Sequence, residues 1–348
     1  IPTPKTANEA LTGPNRHEWK LSMDREVASL RKFDAFEFAP LPKGRKAIKM
    51  KWVFKVKQNE NGELVKLKSR LTGCGYAQRW GVDYLEVTAP VASYTVIRML
   101  LAFAALHDWE LEQMDVDTAF LNSDLDVPIY CIPPPFLRAP PNMFILLKAA
   151  LYGLKQGSRC FNILLHKFLV NTCGFTQSKN DPCLYMLRKP QRTVLIAIFV
   201  DDVVIAAPDK LSVKWIKDKF CSRFSMSDQG PLKWILGMHV ARNRESRTLS
   251  LDQSRYITDF LKKYGMDACN PVLSPSDVKV TLTKPDSPLT PEDEAQVSRH
   301  PFKFSSCIGS TLYAALSSRF DVCYPVNVAA RHTAWPGPSH FTAVKRVL

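Results

Sequence analysis

The sequence lacks the cysteine and histidine spacings of a zinc site or a disulfide framework. Its nine cysteines are scattered between positions 74 and 323, with no CxxC pair among them. None of them is grouped with histidines at the spacing of metal ligands. These absences exclude a zinc module and a disulfide-stapled secreted domain. The pattern instead predicts buried, reduced thiols in an intracellular protein.

A long apolar run is also missing. The most apolar stretch, residues 194–207, is interrupted by Asp201 and Asp202, and it is shorter than the ~20 apolar residues that cross a bilayer. No signal peptide is visible, so the sequence predicts neither membrane insertion nor secretion. The chain begins with Ile1 rather than methionine, and we therefore expect a piece of a longer translation product.

Acidic residues are outnumbered by basic ones. The chain has 47 lysines and arginines against 33 aspartates and glutamates, a net charge of +14, and a pI of about 9.3. This excess predicts an acidic partner, most often nucleic acid. No long Lys/Arg block is present, which argues against a ribosomal or chromatin tail. A hydrophobic content of 46% over 348 residues excludes wholesale disorder and predicts two or three subdomains.

Apolar and cationic residues alternate in AIKMKWVFKVK, residues 47–57. This period of two predicts a strand with one apolar and one cationic face. Asn61-Gly62 predicts a turn, followed by a second alternating strand that contains Arg70. Such a basic hairpin can lie along a phosphate backbone or hold a triphosphate, although a merely solvated strand face gives the same pattern. The cationic face comprises Lys49, Lys51, Lys55 and Lys57.

Two adjacent acids interrupt the most apolar part of the chain. Asp201 and Asp202 lie between VLIAIFV and VVIAA, which predicts a tight turn between two apolar strands. Asp115 lies in a third apolar-biased strand, MDVDTAF. If these strands are neighbours, three carboxylates converge and can hold the two metal ions of an in-line phosphoryl transfer. A solvent-exposed Asp-Asp turn is the alternative for the dipeptide alone.

The remaining periodicities predict a coarse secondary structure. Helices are expected over residues 19–33, 95–107, 158–174, 210–224 and 254–264 because apolar residues recur there at helical spacing. LKWILGMHVAR predicts a tight strand pair. Residues 270–300 are rich in proline, serine and acids, which predicts a linker.

The order of these motifs resembles the reverse transcriptase of copia-type LTR retrotransposon polyproteins, also called pseudoviruses. The resemblance extends over roughly residues 9–348 and rests on many separate segments in the family's order. The segments that carry it include LPKGRKAIKMKWVFKVK, RLTGCGYAQRWGVDYLEVTAPVASYTVIRMLLAFAA, WELEQMDVDTAFLN, LYGLKQGSR, GFTQSKNDPCLY, IFVDDVVIAA, LKWILGMHV, RYITDFLKKYGM and AALSSRFDVCYPVN.

The resemblance implies an α+β fold of the right-hand polymerase type, with an antiparallel palm sheet packed on helices. Fingers and an N-terminal extension would occupy residues 1–89 and 121–158. The palm would occupy 90–120 and 159–242, and the thumb with a linker 243–300. Residues 301–348 would begin a truncated connection region. No RNase H, integrase or protease segment is recognised in this chain.

The resemblance also implies an activity, RNA-directed DNA polymerisation by two-metal nucleotidyl transfer to a primer 3′-hydroxyl. Asp115, Asp201 and Asp202 match the catalytic metal ligands of the family, and the Val116 carbonyl matches its backbone ligand. The implied cofactor is a pair of Mg²⁺ ions, for which Mn²⁺ can substitute. The implied partners are an RNA template, a DNA primer, deoxynucleoside triphosphates and the other parts of the polyprotein, in a cytoplasmic particle or the nucleus.

Further residues match the family's substrate contacts. Phe120 matches the aromatic residue that stacks under the incoming sugar, and Gln156 matches the glutamine near the incoming nucleotide. Arg70 matches the arginine of the fingers that contacts base and triphosphate, assisted by a lysine, either Lys55 or Lys57. LGMHV, which contains Gly237 and Met238, matches the primer grip, and the segment from Tyr256 matches a thumb helix.

Two positions depart from the family's pattern. Cys74 stands where a second basic residue is usual, and Asp117 stands where basic, small or polar residues are common. These departures leave open a catalytically decayed, nucleic-acid-binding remnant. A two-metal nuclease is a third hypothesis, which rests on the three acids alone and gives no reason for Phe120 or Gln156.

Overall fold

The computed structural model describes residues 2–58, 63–277, 280–283, 289–300 and 302–348. The strands are β1 (Phe36–Ala39), β2 (Met50–Gln58), β3 (Leu64–Gly73), β4 (Glu110–Val116), β5 (Asp124–Cys131), β6 (Phe144–Ala149), β7 (Thr176–Gln177), β8 (Leu184–Lys189), β9 (Arg192–Phe199), β10 (Asp202–Ala207), β11 (Met226–Pro231), β12 (Trp234–Ile235), β13 (Met238–Asn243) and β14 (Thr248–Asp252). The α-helices are α1 (Ala7–Thr12), α2 (Arg16–Lys32), α3 (Tyr94–Leu106), α4 (Gly157–Lys167), α5 (Lys210–Arg223), α6 (Ser254–Lys263), α7 (Pro291–Ser298), α8 (Phe304–Ser317), α9 (Cys323–Ala330) and α10 (Pro338–Val347).

The chain divides into two compact units. The first consists of residues 1–96 and 110–230, and the second of residues 97–109 and 231–348. Mixed helices and antiparallel sheets confirm the predicted α+β class. The boundaries assigned to fingers, palm, thumb and connection remain predictions.

A six-stranded sheet forms the centre of the first unit, in the order β11-β4-β10-β9-β8-β7. Alternate residues of β9 and β10, among them Ile196, Ile198, Val203 and Ile205, are buried in one core with Phe220 and other residues of α4 and α5. Because neighbouring strand residues point to opposite faces, the intervening positions of β4 and β10 face away from this core. This parity decides which carboxylates of the sheet face the two helices and which face away.

The cationic hairpin is confirmed as β2 paired with β3. Trp52 and Phe54 are buried against α2, whereas Lys51, Lys55 and Lys57 are exposed, as the alternation predicts. Ser22 of α2 holds β3 in place, because its Oγ donates to the Leu67 carbonyl at 3.0 Å and accepts the Ser69 N–H at 2.9 Å. The predicted Asn61-Gly62 turn lies outside the described residues. A third sheet of this unit has the order β1-β6-β5.

The second unit combines the sheet β12-β13-β14 with helices α6 to α10. Its core contains Phe260 and Tyr264 of α6, Ile308 of α8, Val326 of α9 and Phe341 of α10. The predicted linker over residues 270–300 is wrong in one part, since α7 forms there. Thr290 caps this helix by accepting the Asp293 N–H, and Pro291 follows at the first helical position, a start signal that the composition of the segment obscured.

The helices predicted near residues 19–33, 95–107, 210–224 and 254–264 are confirmed as α2, α3, α5 and α6. The helix predicted over 158–174 is α4 followed by a π-helical turn, Phe168–Thr172. All nine cysteines are free thiols, and most are buried, as expected for a reduced protein. Among the described helices, none has the length and apolar character that a membrane crossing requires.

Candidate active site

The three predicted acids meet at one end of the central sheet. Asp202, the first residue of β10, is directly opposite Asp115 of β4 in the antiparallel register, and the Val116 N–H donates to the Asp201 carbonyl at 3.0 Å. Val200, with φ of 58°, makes the tight turn that brings Asp201 beside them. The predicted adjacency of these two strands is therefore confirmed. By parity, Asp115 and Asp202 lie on the face opposite α4 and α5.

The electrostatics of this cluster are unfavourable without a cation. Burial and the charges of Asp201, Asp202 and Asp117 raise the pKa of Asp115 to about 6. Burial also raises the pKa of Asp202, with a smaller contribution from Asp201, although a hydrogen bond from Gln113 Nε2 at 2.9 Å opposes the shift. A positive ligand stabilises the ionised form of half-buried carboxylates that repel each other.

Among the described residues, no three Asp, Glu, His or Cys side chains are arranged as a metal site. The donor chemistry nevertheless fits a hard divalent cation, because the oxygens are carboxylate oxygens and their charges are mutually destabilising. Asp202 would have to leave its hydrogen bond with Gln113 to become a ligand. The roles of Asp115, Asp201, Asp202 and the Val116 carbonyl as metal ligands remain predictions.

Asp117, the unusual fourth acid, has partners of its own. It accepts hydrogen bonds from Ser225 Oγ at 3.1 Å and Ser227 Oγ at 2.8 Å, and its N–H donates to the Ser225 carbonyl at 2.9 Å. These bonds hold the carboxylate at the side of β11. Its charge still contributes to the raised pKa of Asp115.

Arg70 and Phe120 are brought together by a residue that sequence reasoning missed, Tyr152. The guanidinium carbon of Arg70 lies 4.4 Å from the centroid of the Tyr152 ring, and the Tyr152 and Phe120 rings are 4.6 Å apart in an edge-on arrangement. Burial raises the pKa of Tyr152, Arg70 opposes this, and the nearby Asp201 and Asp115 add to it. Tyr152 stands in the same LYGLKQG segment as Gln156, so the motif contained the signal.

Backbone contacts between glycines fix this arrangement. The Gly73 N–H donates to the Tyr152 carbonyl at 2.9 Å, and the Gly75 N–H donates to the Gly153 carbonyl at 3.1 Å. A Cβ at Gly75 or Gly153 would overlap the backbone of the other segment. The end of β3, which carries Arg70, is therefore bonded directly to the segment that carries Tyr152.

Phe120 and Gln156 are less accessible than their predicted roles suggest. Phe120 is 9% exposed and belongs to the core of the first unit. Gln156 is fully buried. Its Oε1 accepts from Gln78 Nε2 at 2.9 Å, and its Nε2 donates to the Asp83 carbonyl at 3.0 Å. In this conformation Gln156 anchors the loop of residues 78–83, and nucleotide contact by either residue remains a prediction.

Lys68 is a second residue that sequence reasoning missed. It lies two positions before Arg70 on β3 and opposite Lys55 in the hairpin register. Burial and the neighbouring charges of Arg70 and Lys57 lower the pKa of Lys68, and its own charge lowers the pKa of Asp115. Lys68 is half-buried, whereas Lys49, Lys51, Lys55 and Lys57 are exposed.

The predicted primer-grip residues lie in the second unit, in the turn between β12 and β13. Leu236 and Gly237 both have positive φ, at 47° and 74°. Tyr313 Oη donates to the Leu236 carbonyl and would overlap a Cβ at position 237. Met238 is fully buried. Its side chain is enclosed by protein, and the role of Gly237 and Met238 remains a prediction.

A family model described as reverse transcriptase (RNA-dependent DNA polymerase) matches residues 33–278. Over 99% of its length the chain is 35% identical to a retrovirus-related Pol polyprotein from transposon TNT 1-94 of Nicotiana tabacum. It is 31% identical, over the same share, to a Pol polyprotein from transposon RE2 of Arabidopsis thaliana. The chain spans about a quarter of the length of these two relatives, 26% and 23%.

Among solved structures, the chain is similar to a foamy viral protease-reverse transcriptase in complex with double-stranded DNA. That similarity covers 94% of this chain and 47% of the other, with 11% sequence identity and a TM-score of 0.43.

Proposed function

The chain belongs to the reverse transcriptase (RNA-dependent DNA polymerase) family, and from this premise we propose that it is the RNA-directed DNA polymerase of a copia-type retrotransposon. The observation that carries the proposal is the register of β10 against β4, which pairs Asp202 with Asp115. Two carboxylates some ninety positions apart in sequence share one face of the sheet, and Asp201 lies in the adjoining turn.

The three carboxylates would hold a pair of divalent cations, Mg²⁺ or Mn²⁺, together with the Val116 carbonyl. When bound, such ions lower the pKa of a primer hydroxyl and neutralise the departing pyrophosphate. The protein's contribution is to hold Asp115, Asp201 and Asp202 close together. The sheet does this by fixing their backbone positions.

Arg70 and Lys68 would supply the positive charge for an incoming triphosphate. They are two positions apart on one strand, so they share a face. The charge of Lys68 also lowers the pKa of Asp115. Tyr152 and Phe120 would form the apolar floor beneath the sugar, with Tyr152 orienting the Arg70 guanidinium. The exposed hairpin lysines would contact the phosphate backbone of a template–primer duplex.

A primer-extension assay tests this proposal. Purified protein, a DNA primer annealed to an RNA template, deoxynucleoside triphosphates and Mg²⁺ should give an extended product, and Asp201→Asn should abolish it. Asp218→Asn is the matched control, because Asp218 is an exposed aspartate paired with Lys214 on α5. Extension that survives Asp201→Asn would contradict the site assignment.

Absence of extension by the unmodified chain would favour the decayed remnant instead. The two positions that motivated that hypothesis have structural explanations, since Cys74 is buried and Asp117 is held by Ser225 and Ser227. We propose the same partners and location as the resemblance implies, namely RNA template, DNA primer, deoxynucleotides and other polyprotein segments, in a cytoplasmic particle or the nucleus.

A further inference from the structure

The outer edge of β3 is covered by helix α2 instead of another strand. Among the strands that the structure describes, β3 pairs with β2 alone. Alternate residues of a strand direct their backbone N–H and C=O groups toward the same edge, and on β3 the groups of Leu67, Ser69 and Leu71 contact α2. An uncovered strand edge leaves such groups unpaired. The side chains that α2 presents to this edge therefore determine how firmly β3 is held.

Two side chains of α2 supply the partners of this edge. Ser22 Oγ donates to the Leu67 carbonyl and accepts the Ser69 N–H. Glu26 Oε1 accepts the Leu71 N–H at 3.0 Å. Because Ser22 and Glu26 are four residues apart, they lie on the same face of the helix. Their spacing matches successive groups along the edge of the strand.

The hydrogen bond of Glu26 is made directly after Arg70 in the chain. It holds the N–H of the peptide group that joins Arg70 to Leu71. Farther along β3, the Gly73 N–H donates to the Tyr152 carbonyl at 2.9 Å. Glu26 therefore continues the contact of α2 with β3 up to the point where the Tyr152 segment takes over. Without this bond, the backbone at Arg70 would lose its nearest support from α2.

The carboxylate of Glu26 also lies within electrostatic range of two cations. Burial raises the pKa of Glu26, and the Leu71 N–H followed by the charges of Arg70 and Lys68 oppose this shift. An ionised acceptor makes a stronger hydrogen bond than a neutral one, and partial burial strengthens the bond further. Glu26 thus has two possible effects on Arg70, a fixed backbone position and a nearby negative charge.

We propose that Glu26 is a positioning residue for nucleotide binding, whose hydrogen bond to the Leu71 N–H fixes β3 so that Arg70 meets the incoming triphosphate. The inference rests on the proposed function, which assigns the triphosphate to Arg70. A cation that is already held in place loses little conformational freedom when its ligand binds, and a small displacement of a positioning group is costly. The role belongs to the hydrogen bond, because a negative charge near Arg70 opposes the binding of an anion.

Three replacements of Glu26 separate the hydrogen bond from the charge. Glu26→Gln keeps an oxygen acceptor at the same distance from the helix and removes the charge. Glu26→Asp keeps the charge but shortens the side chain by one methylene, so that it no longer spans the distance to the Leu71 N–H. Glu26→Leu removes both the acceptor and the charge. Asp24→Asn is the matched control, because Asp24 is an exposed acid on the same helix.

Nucleotide affinity is measured without catalysis on a labelled template–primer whose primer ends in a dideoxynucleotide and so lacks the attacking hydroxyl. In Mg²⁺, the Kd of the next deoxynucleotide should rise about tenfold in Glu26→Asp and Glu26→Leu, or ~1.4 kcal/mol. It should stay within about twofold of the unmodified protein in Glu26→Gln and Asp24→Asn. Amide hydrogen exchange gives a second readout, because the Leu71 N–H should exchange about tenfold faster in the Asp and Leu variants alone.

Two results would overturn the inference. One is weakened nucleotide binding by Glu26→Gln, which would assign the effect to the charge, and the other is unchanged binding by Glu26→Asp. If Glu26→Leu fails to fold, the comparison of Gln with Asp still decides the question. Failure of the proposed function looks different, since the unmodified protein would then neither extend an unblocked primer nor bind the nucleotide. A protein that does both, while all variants of Glu26 bind alike, contradicts this inference alone.

Discussion

Two acids on the same strand have opposite surroundings. Glu112 and Asp115 are three residues apart on β4, and strand parity therefore directs them to opposite faces of the sheet. Glu112 contacts the ammonium of Lys217 on α5, which also lies 2.5 Å from Asp228 Oδ1. Asp115 faces Asp202 instead, with no basic side chain within ion-pairing distance among the described residues.

The pKa values express this difference. Burial alone would lower the pKa of Lys217, but hydrogen bonds and charges from Asp228 and Glu112 outweigh it and leave that pKa raised. Burial and like charges instead raise the pKa of Asp115 to about 6. Glu112 is thus neutralised by the fold, whereas Asp115 is left to a ligand. A carboxylate without an internal counter-charge indicates a binding site more strongly than its sequence motif does.

The largest expected effect is the loss of activity when Asp115, the acid without an internal ion-pair partner among the described residues, is replaced. Asp115→Asn should lower primer extension at least about a thousandfold, or ~4 kcal/mol of barrier, because a predicted metal ligand is lost. Stability to urea should stay the same or rise, since one of several repelling charges is removed. A large loss of stability would show that Asp115 is structural and would erase the contrast with Glu112.

Breaking the ion pair of Glu112 should instead lower the stability of the protein. Lys217→Met leaves Glu112 without its partner and should lower the free energy of unfolding by about 2 kcal/mol, below the ~3–5 kcal/mol of a fully buried pair, because Asp228 is half exposed. Urea denaturation measures this. Lys214→Met, on the same helix but in an exposed pair, should change stability by less than about 0.5 kcal/mol.

Tyr152 contacts a cation of the site, the Arg70 guanidinium, rather than its acids. Tyr152→Leu removes the ring beneath Arg70 and should raise the KM for deoxynucleotides about tenfold, or ~1.4 kcal/mol, with a smaller change in kcat. Steady-state extension at varied nucleotide concentration separates the two constants. Equal effects on both constants would argue that the ring acts on the chemical step rather than on nucleotide binding.

Asp209 offers a carboxylate that the fold stabilises by a helix cap. Its side chain accepts the Ser212 N–H at 2.7 Å. This bond is the main cause of the lowered pKa of Asp209. Burial acts in the opposite direction, and a hydrogen bond from the Ser212 hydroxyl lowers the pKa further. Asp209→Ala should cost about 1 kcal/mol at neutral pH. Because the folded-state pKa is depressed, this contribution is present above the unfolded value and disappears as pH falls through the folded value. Urea unfolding of both proteins between pH 7 and pH 3 should therefore show the difference shrinking on acidification.

Much of the fold was readable because hydrophobic periodicity is local. The alternation in residues 47–57 predicted β2 and the buried Trp52 and Phe54 correctly, and the flanking apolar runs predicted the hairpin around Asp201 and Asp202. The adjacency of Asp115 to this hairpin was the condition on which the two-metal hypothesis depended, and the pairing of β10 with β4 confirms it. Helix α7 was missed although its cap and first proline are local signals.

What the sequence could not provide is contact between distant elements. Lys68 and Tyr152 join the site through the packing of β3 against the 151–156 segment, and no periodicity encodes that packing. The same holds for Lys217, whose pairing with Glu112 spans more than a hundred residues. Met238 follows a two-residue strand and a turn with two positive φ angles, so its inward orientation could not be derived from alternation.

The bonds from Gly73 to Tyr152 and from Gly75 to Gly153 have a mechanical consequence. They hold the base of the cationic hairpin directly against the segment that carries Tyr152, because a side chain at these glycines would not fit between the two backbones. If the hairpin moves toward a bound nucleotide, we expect Arg70 and Tyr152 to move together. The hinge of that motion would then lie outside Gly73, Gly75 and Gly153.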